Sequence, residues 1–284
     1  MAPDSKDLKE SEDFEAVKEI TVRRLSVIIP VVLPGPTLKR SAERAVESVL
    51  REIDRADPIG TEVVVAVCDA VRSVGDHLKT IFQDAIQGSR LQVIAAGQTL
   101  DLARARNEAA HCAHGSLLAF LNPEDSWLPG YLAWLEPWLA RHDLILASDR
   151  AVAEPSDWLR SFLDENPALS SSTVVRRALF DEVGGFPSGY LGKSDYGFWI
   201  RCLACLAETQ RRDRFVLLPN RFLVAEATHL QRLPVVQSVD RIRELTALLG
   251  AAPGLPSRYW GAVAGRISQA LVRPAWRKLR GKGK

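Results

Sequence analysis

Two adjacent carboxylates, Glu124 and Asp125, follow a short apolar run at 117–121, with Asn122 and Pro123 between the run and the acids. The run is short enough for a buried strand, and a Trp-x-Pro turn comes shortly after the acids. In open α/β sheets, ligands bind at the edge formed by the carboxyl ends of the strands. Adjacent acids there suit a divalent cation that bridges to phosphate oxygens, because Mg²⁺ typically takes only one or two protein carboxylates. The alternative interpretation is a solvated acidic turn.

The elements that would position these acids alternate between strands and helices over residues 25–127. Apolar runs rich in β-branched residues predict strands that are buried on both faces, as a parallel sheet requires. Apolar residues that recur at three and four positions predict amphipathic helices between them. The predicted strands lie at 25–33, 62–69, 91–95 and 117–121, and the predicted helices at 38–53, 74–86 and 102–114. The pattern predicts an α/β fold with a doubly wound, mostly parallel sheet flanked by helices.

The loop after the first predicted strand contains no Gly-x-Gly-x-x-Gly motif. This argues against the dehydrogenase version of the architecture, which cradles phosphates with those glycines. Beyond residue 129 the pattern is less regular, with short predicted strands at 144–147, 172–177 and 216–218 and a helix at 196–207.

No internal repeat or low-complexity linker divides the chain, so we predict a single main domain. Its bounds would be 25–235. It would be preceded by a mobile acidic arm or short helix at 1–24 and followed by a helical extension with a basic tail at 236–284.

The overall charge is nearly balanced, with 37 Lys and Arg against 35 Asp and Glu, which predicts no general attraction to nucleic acid. No apolar run approaches the roughly 20 residues that cross a bilayer, and the polar N-terminus does not resemble a signal peptide. The default expectation is therefore a cytoplasmic protein. In the basic tail, apolar residues recur at helical spacing from Tyr259 to Leu271. Such a segment would either lie on an anionic membrane surface, at the inner face of the membrane, or dock on its own domain.

The four cysteines do not form the pattern of a disulfide framework. Cys202-Leu-Ala-Cys205 has a spacing that redox and zinc sites use. It lies within a predicted helix, however, and no second pair accompanies it. We therefore predict a structural role for this pair.

Six motifs occur in one consistent order over about residues 25–230. They are Leu25-Ser-Val-Ile-Ile-Pro30, the strand that leads to Asp69, Ala105-Arg-Asn107, Phe120-Leu-Asn-Pro-Glu-Asp125 with Trp127 and Pro129, Val183-Gly-Gly-Phe186, and Ser194-Asp195 with Trp199 and Arg201. In order and spacing this set resembles the family 2 glycosyltransferases of the GT-A fold. The resemblance implies a single GT-A-type domain that carries out an inverting sugar transfer.

The resemblance also implies the reaction and its acids. A sugar would pass from a nucleoside-diphosphate-sugar donor to a hydroxyl acceptor, either a glycan or a lipid-linked molecule, with Mn²⁺ or Mg²⁺ as cofactor. This needs charge stabilisation at the departing diphosphate and a base for the hydroxyl. Asp125 would bind the metal, Glu124 the ribose or the metal, Asp195 would be the general base, and His229 would complete the metal shell. The plainer alternatives are a helix N-cap for Asp195 and a surface histidine for His229.

The donor pocket follows from the same motifs. Backbone beside Pro30 and Val31 would line the nucleobase pocket, and the resemblance gives Asp69 a hydrogen bond to the base. A carboxylate that accepts from an imide N–H suits uracil or thymine. Arg106 would lie near the diphosphate as a bidentate donor. The plainer alternatives are a turn residue for Asp69 and a surface arginine for Arg106.

The chain departs from the family pattern at several of these positions. Asn122 stands where the metal stretch usually has an acid, and Ser194 replaces the usual Glu before the base. The usual polar residues after the first strand are replaced by Val31-Val-Leu-Pro34. These departures keep open an alternative of another class, a non-catalytic module that binds a nucleotide sugar or a glycan.

Overall fold

A computed structural model describes residues 25–98, 101–149, 158, 162, 168–188 and 194–224. The strands in this part of the chain are β1 (Leu25–Val31), β2 (Thr61–Val67), β3 (Leu91–Ala95), β4 (Leu117–Phe120), β5 (Ser126–Trp127), β6 (Leu144–Ser148), β7 (Val174–Arg176), β8 (Phe215–Pro219) and β9 (Leu223–Val224). The α-helices with described bounds are α1 (Leu38–Arg55), α2 (Arg72–Ile81), α3 (Gln83–Gln87), α4 (Leu102–Cys112), α5 (Tyr131–Leu139), α6 (Arg177–Glu182) and α7 (Ser194–Glu208).

Seven of these strands form one sheet in the order β3-β2-β1-β4-β7-β6-β8. The first four run parallel to one another. Strand β7 is antiparallel to both of its neighbours, whereas β6 and β8 are parallel to each other. Strands β5 and β9 form a separate antiparallel pair. The predicted mostly parallel α/β sheet flanked by helices is therefore confirmed.

The central strands are buried along their whole length. Every residue of β1, β2 and β4 is buried, which explains their unbroken apolar sequences. Helix α1 covers the sheet with a face that includes Ala42, Val46 and Val49, spaced as an amphipathic helix requires. This core fixes the positions from which the loops at the carboxyl ends of the strands leave the sheet.

Some boundaries differ from the sequence-based expectations. The helix predicted at 74–86 is divided into α2 and α3 at Phe82, whose φ and ψ of −111° and 31° are not helical. Strand β2 ends at Val67, and Asp69 instead begins a short 3₁₀ turn. The strand predicted at 172–177 is only three residues long, because Ser170–Ser172 form another 3₁₀ turn before it.

Several predictions concern residues outside the described ranges: the arm at 1–24, the boundary at residue 235, the extension and basic tail at 236–284, and His229. The division of the chain into these parts therefore stays a prediction. Among the helices that are described, none is long and apolar enough to cross a membrane.

Candidate active site at the carboxyl edge of the sheet

Three neighbouring parallel strands, β2, β1 and β4, end at the same edge of the sheet. Beyond β1 and β2 the backbone pairing continues, since the Cys68 amide donates to the Val31 carbonyl over 3.0 Å. The segments that carry Asp69 and Asn122–Asp125 follow β2 and β4 directly. Both therefore leave the sheet at the edge where ligands bind in such folds.

Asp125 is held inside a compact turn and is only 3% exposed. Its backbone amide donates to the Asn122 carbonyl over 3.1 Å, and the Asn122 side-chain amide donates to Asp125 Oδ2 over 3.3 Å. The Ser171 hydroxyl also donates to Oδ2, and its oxygen accepts from the Asn122 backbone amide over 2.9 Å. These contacts fix the orientation of the carboxylate. Glu124, beside it, is half-buried.

Arg106 lies in the middle of α4 and is 1% exposed. Its Nη1 donates to Asp195 Oδ1, and its Nη2 donates to Asn122 Oδ1 over 2.8 Å. The ring of Phe186 lies against the guanidinium, with its centroid 4.9 Å from the central carbon. Arg106 thus connects Asp195 on α7 to the turn that holds Asp125.

The residue after Arg106 fixes the Gly-Gly-Phe turn. The Asn107 side chain accepts from the Phe186 amide and donates to the Phe186 carbonyl, each over 2.9 Å. Gly185, with φ of +68°, leaves room for this approach, because a Cβ there would lie 2.7 Å from Asn107 Oδ1. The turn therefore positions the Phe186 ring against the Arg106 guanidinium.

Asp195 lies in the first turn of α7, and its side chain is 18% exposed. The helix is anchored by its apolar side. Trp199 Nε1 donates to Thr173 Oγ1 over 3.0 Å, and the Phe198 ring stacks on Phe186 with centroids 4.3 Å apart. An acidic side chain in the first turn of a helix interacts favourably with the helix dipole. The anchored helix holds Asp195 within reach of Arg106.

The residues predicted to bind the nucleobase lie in a separate part of this edge of the sheet. Pro30 and Val31 are buried, so their contribution to a ligand site would come from backbone. The Asp69 side chain is 36% exposed, and Arg72 donates to its Oδ1 over 3.1 Å. A cavity of about 290 Å³ lies beside it, between α2 and the ends of β2 and β3. It is lined by Val67, Cys68, Asp69, Arg72, Gly75, Asp76, Lys79, Val93, Ile94 and Ala95.

The predicted site residues therefore fall into two groups within the described residues. Asp125 and Asp195 are joined by one chain of hydrogen bonds through Asn122 and Arg106. Pro30, Val31 and Asp69 share the edge, and the Asp69 side chain accepts a hydrogen bond from Arg72. The roles assigned to all these residues stay predictions.

Sequence reasoning did not identify Ser171, nor the contacts of Asn107 and Phe186. Ser171 lies 46 residues from Asp125, and nothing in the local pattern marks it. Asn107 and Phe186 did belong to quoted motifs, 79 residues apart. A signal was therefore present for this pair, although only the fold shows that the two motifs bind each other.

The acids at this edge fit a cation in part. No cluster of three or more His, Cys, Asp or Glu side chains able to hold a metal occurs among the residues with described positions. Asp125 and Glu124 supply one or two carboxylates, which is the number that Mg²⁺ commonly takes when substrate phosphates complete its shell. The donor set therefore suits a cation that a diphosphate also binds, rather than one held by protein alone.

The cysteine pair on α7 lies away from these acids. Burial raises the pKa of the Cys202 thiol well above its usual value. Burial, followed by a hydrogen bond with Glu182, raises the pKa of Cys205 to about 11. Both thiols are therefore protonated at neutral pH, which fits the predicted structural role and disfavours thiolate chemistry.

Similar solved structures share this fold. The structure of S. aureus TarS 1-349 in complex with UDP-GlcNAc matches with a TM-score of 0.61 and 16% identity, over 87% of this chain and 71% of that one. The mannosyltransferase PcManGT from Pyrobaculum calidifontis, in complex with GDP-Man and Mn²⁺, matches with a TM-score of 0.58 and 18% identity, over 92% of this chain and 76% of the other. These matches confirm the expected GT-A fold.

Two curated relatives match part of the chain. An uncharacterized protein, y4gI, of Sinorhizobium fredii is 27% identical over 200 residues, which are 66% of this chain and 21% of the relative. The O-antigen biosynthesis protein RfbC of Myxococcus xanthus is 29% identical over 142 residues, 45% of this chain and 11% of the relative. The chain thus spans less than a quarter of the length of either relative.

The family itself is shown by a match to a sequence model. The model described as Glycosyl transferase family 2 covers residues 26–192, more than half of the chain. The matched range includes the motifs that hold Asp69, Arg106, Asp125 and Phe186, and it ends just before Asp195. From the sheet, the motifs and this match together, we conclude that the chain belongs to glycosyl transferase family 2.

Proposed function

We propose that this chain is a glycosyltransferase that moves a hexose-type sugar from a nucleoside-diphosphate sugar to a hydroxyl acceptor with inversion. The observation that carries the proposal is the chain of contacts from Asp125 to Asp195, through Asn122 and Arg106. It brings an acid suited to the diphosphate end of a donor and an acid suited to proton transfer into one connected site. Such a pair is what a single displacement needs.

Asp195 would be the general base. Arg106 donates a hydrogen bond to Asp195 Oδ1, and no residue with a described position bonds to Asp195 Oδ2. One oxygen is thus fixed, while the other is available to accept the proton of an acceptor hydroxyl. Partial exposure of the side chain is consistent with access to an acceptor. Proton transfer to a positioned base contributes roughly 10²–10⁴-fold to such reactions.

Asp125, with Glu124, would hold a divalent cation, and Glu124 would alternatively contact the ribose. Mn²⁺ or Mg²⁺ there would neutralise charge on the departing diphosphate. The similar structure of PcManGT, which contains GDP-Man and Mn²⁺, supports this choice of cofactor. His229 would complete the metal shell, and it lies outside the described residues.

The nucleotide would lie along the edge, with its base near Asp69 and the backbone of Pro30 and Val31. The complexes of TarS with UDP-GlcNAc and of PcManGT with GDP-Man support a nucleotide-sugar donor. The similarity to an O-antigen biosynthesis protein supports a glycan or lipid-linked acceptor and a role in polysaccharide assembly. Peripheral attachment to the inner face of a membrane through the tail at 236–284 remains a prediction.

Replacement Asp195→Asn tests the proposal. Asn keeps the shape and can still accept from Arg106, but it cannot take a proton. We expect release of nucleoside diphosphate from UDP-, GDP- and TDP-hexoses to fall by at least about a hundredfold, with calorimetric affinity for the nucleoside diphosphate unchanged.

The matched control is Asp213→Asn, which removes the same charge from an exposed 3₁₀ turn and should leave the rate unchanged. An Asp195→Asn variant that retains the wild-type rate would show that Asp195 is not the base.

A second candidate function is a non-catalytic module that binds a nucleotide sugar or a glycan. Asn122 and the buried Ser194 favour it, because each stands at a position where the family pattern has an acid. Such a module would bind nucleoside diphosphates but release none from any donor in the same assay. The two candidates therefore separate on a single hydrolysis measurement.

A further inference from the structure

Two arginines of α4 have opposite environments. Arg104 is exposed, with 62% of its side chain accessible, and its contact with Glu108 spans 3.6 Å. Arg106, two residues later, is almost wholly inaccessible. An arginine is rarely buried unless its charge is paired, because removal of the charge from water is costly. The buried guanidinium of Arg106 is therefore expected to have specific partners that hold it in place.

The planar guanidinium is fixed on three sides. Asp195 accepts from Nη1, Asn122 accepts from Nη2, and the ring of Phe186 packs against the plane. The remaining donor, Nε, is buried and has no partner within the described residues. A rigid fork held in this way can set the orientation of one carboxylate oxygen. It offers little accessible surface to a diphosphate.

The Asn122 side chain is suited to hold the Arg106 guanidinium in place. Its Oδ1 accepts from Arg106 and its Nδ2 donates toward Asp125. A carboxylate at this position could accept from Arg106 but could not donate to Asp125, and it would repel that acid. The amide therefore allows one side chain to contact both the arginine and the buried acid.

From these contacts we propose that Arg106 is a positioning residue for Asp195, and that Asn122 and Phe186 hold it in that role. The inference rests on the proposed function, since it requires Asp195 to be the base. It differs from the role implied by the family resemblance, in which Arg106 contacts the diphosphate of the donor. Loss of the guanidinium that holds Asp195 would slow the proton-transfer step and leave donor binding intact.

The test is Arg106→Lys, which keeps the charge but cannot donate along two fixed directions. We expect kcat for hydrolysis of UDP-GlcNAc or GDP-mannose to fall roughly tenfold or more, and the Kd for UDP or GDP to stay within about twofold. Arg104→Lys on the same helix is the matched control and should change neither quantity. A Kd weakened roughly tenfold with an unchanged kcat would overturn the proposal and make Arg106 a diphosphate ligand.

A second pair of variants keeps the test decisive if Arg106→Lys does not fold. Asn122→Ala and Phe186→Leu remove one support each, and both should lower kcat by about threefold or more without a change in Kd. Unchanged kcat in both would also overturn the proposal.

The Asp195→Asn background separates this inference from the proposed function. There, Arg106→Lys should cause no further loss of the residual rate, because the group it positions is gone. A further tenfold loss in that background would contradict the inference. Full activity of Asp195→Asn alone would instead remove the proposed function itself.

Discussion

The two ends of the candidate site hold their acids in different ways. At one end, Asp125 and Asp195 belong to a continuous set of part-buried contacts that includes an almost fully buried arginine. At the other end, the Asp69 side chain is 36% exposed and pairs with Arg72, whose side chain is 74% exposed. In the proposed function, the first end would be preorganised for chemistry and the second would be an open end that a nucleotide completes.

Preorganisation has an energetic consequence. Buried, hydrogen-bonded charges are costly to disturb, because removal of one partner leaves the other in a dry environment. Exposed ion pairs contribute little, commonly up to about 1 kcal/mol. Changes at the buried end should therefore affect both stability and rate, whereas changes at the exposed end should affect ligand choice alone.

The largest expected effect that sharpens this comparison comes from Gly185→Ala. A Cβ at this position would lie 2.7 Å from Asn107 Oδ1, so the clamp between Asn107 and the Phe186 backbone would open. We expect a loss of about 1–3 kcal/mol in unfolding free energy and a fall in donor hydrolysis, because Phe186 packs on Arg106. Urea unfolding and the hydrolysis assay measure the two effects.

The neighbouring glycine provides the control for that change. Gly184 also has positive φ, +74°, but a Cβ there meets no heavy atom within 4 Å. Gly184→Ala should show only the backbone strain, about 1 kcal/mol, with little effect on rate. Equal losses in the two variants would mean that the Asn107 clamp does not support the site.

A smaller effect is expected from Asp69→Asn at the open end. The side chain is partly exposed and its partner Arg72 is exposed, so stability should change by no more than about 0.5 kcal/mol. Asn presents an N–H as well as an oxygen, so the ratio of UDP to GDP affinity should change by roughly threefold or more. Calorimetric titration with both nucleotides measures this ratio.

Asp84→Asn, an exposed site on α3, is the control for Asp69→Asn and should leave the ratio unchanged. An unaltered ratio in Asp69→Asn would place base recognition elsewhere. A large loss of stability in that variant would remove the contrast between the two ends.

The parallel half of the fold could be predicted closely from the sequence. Strands buried on both faces leave unbroken apolar runs, and α1 has a clear helical period, so these patterns are local. The break at Phe82 and the short β7 depend on tertiary packing and turn geometry, which the periodicity does not encode.

The site was predictable in a more limited way. The acids at the strand end are visible in the sequence because they follow an apolar run closely. The pairing of Arg106 with Asp195 spans 89 residues, and the contact of Ser171 with Asp125 spans 46. Such contacts arise only when distant elements pack together, so the fold was needed to find them.

The most direct test of the central claim is made on the unaltered chain with Mn²⁺ or with EDTA. The account predicts that UDP or GDP binds in the presence of Mn²⁺, that EDTA weakens this binding at least about tenfold, and that a matching sugar nucleotide is hydrolysed. Absence of nucleotide binding under both conditions, with no donor hydrolysed, would contradict it.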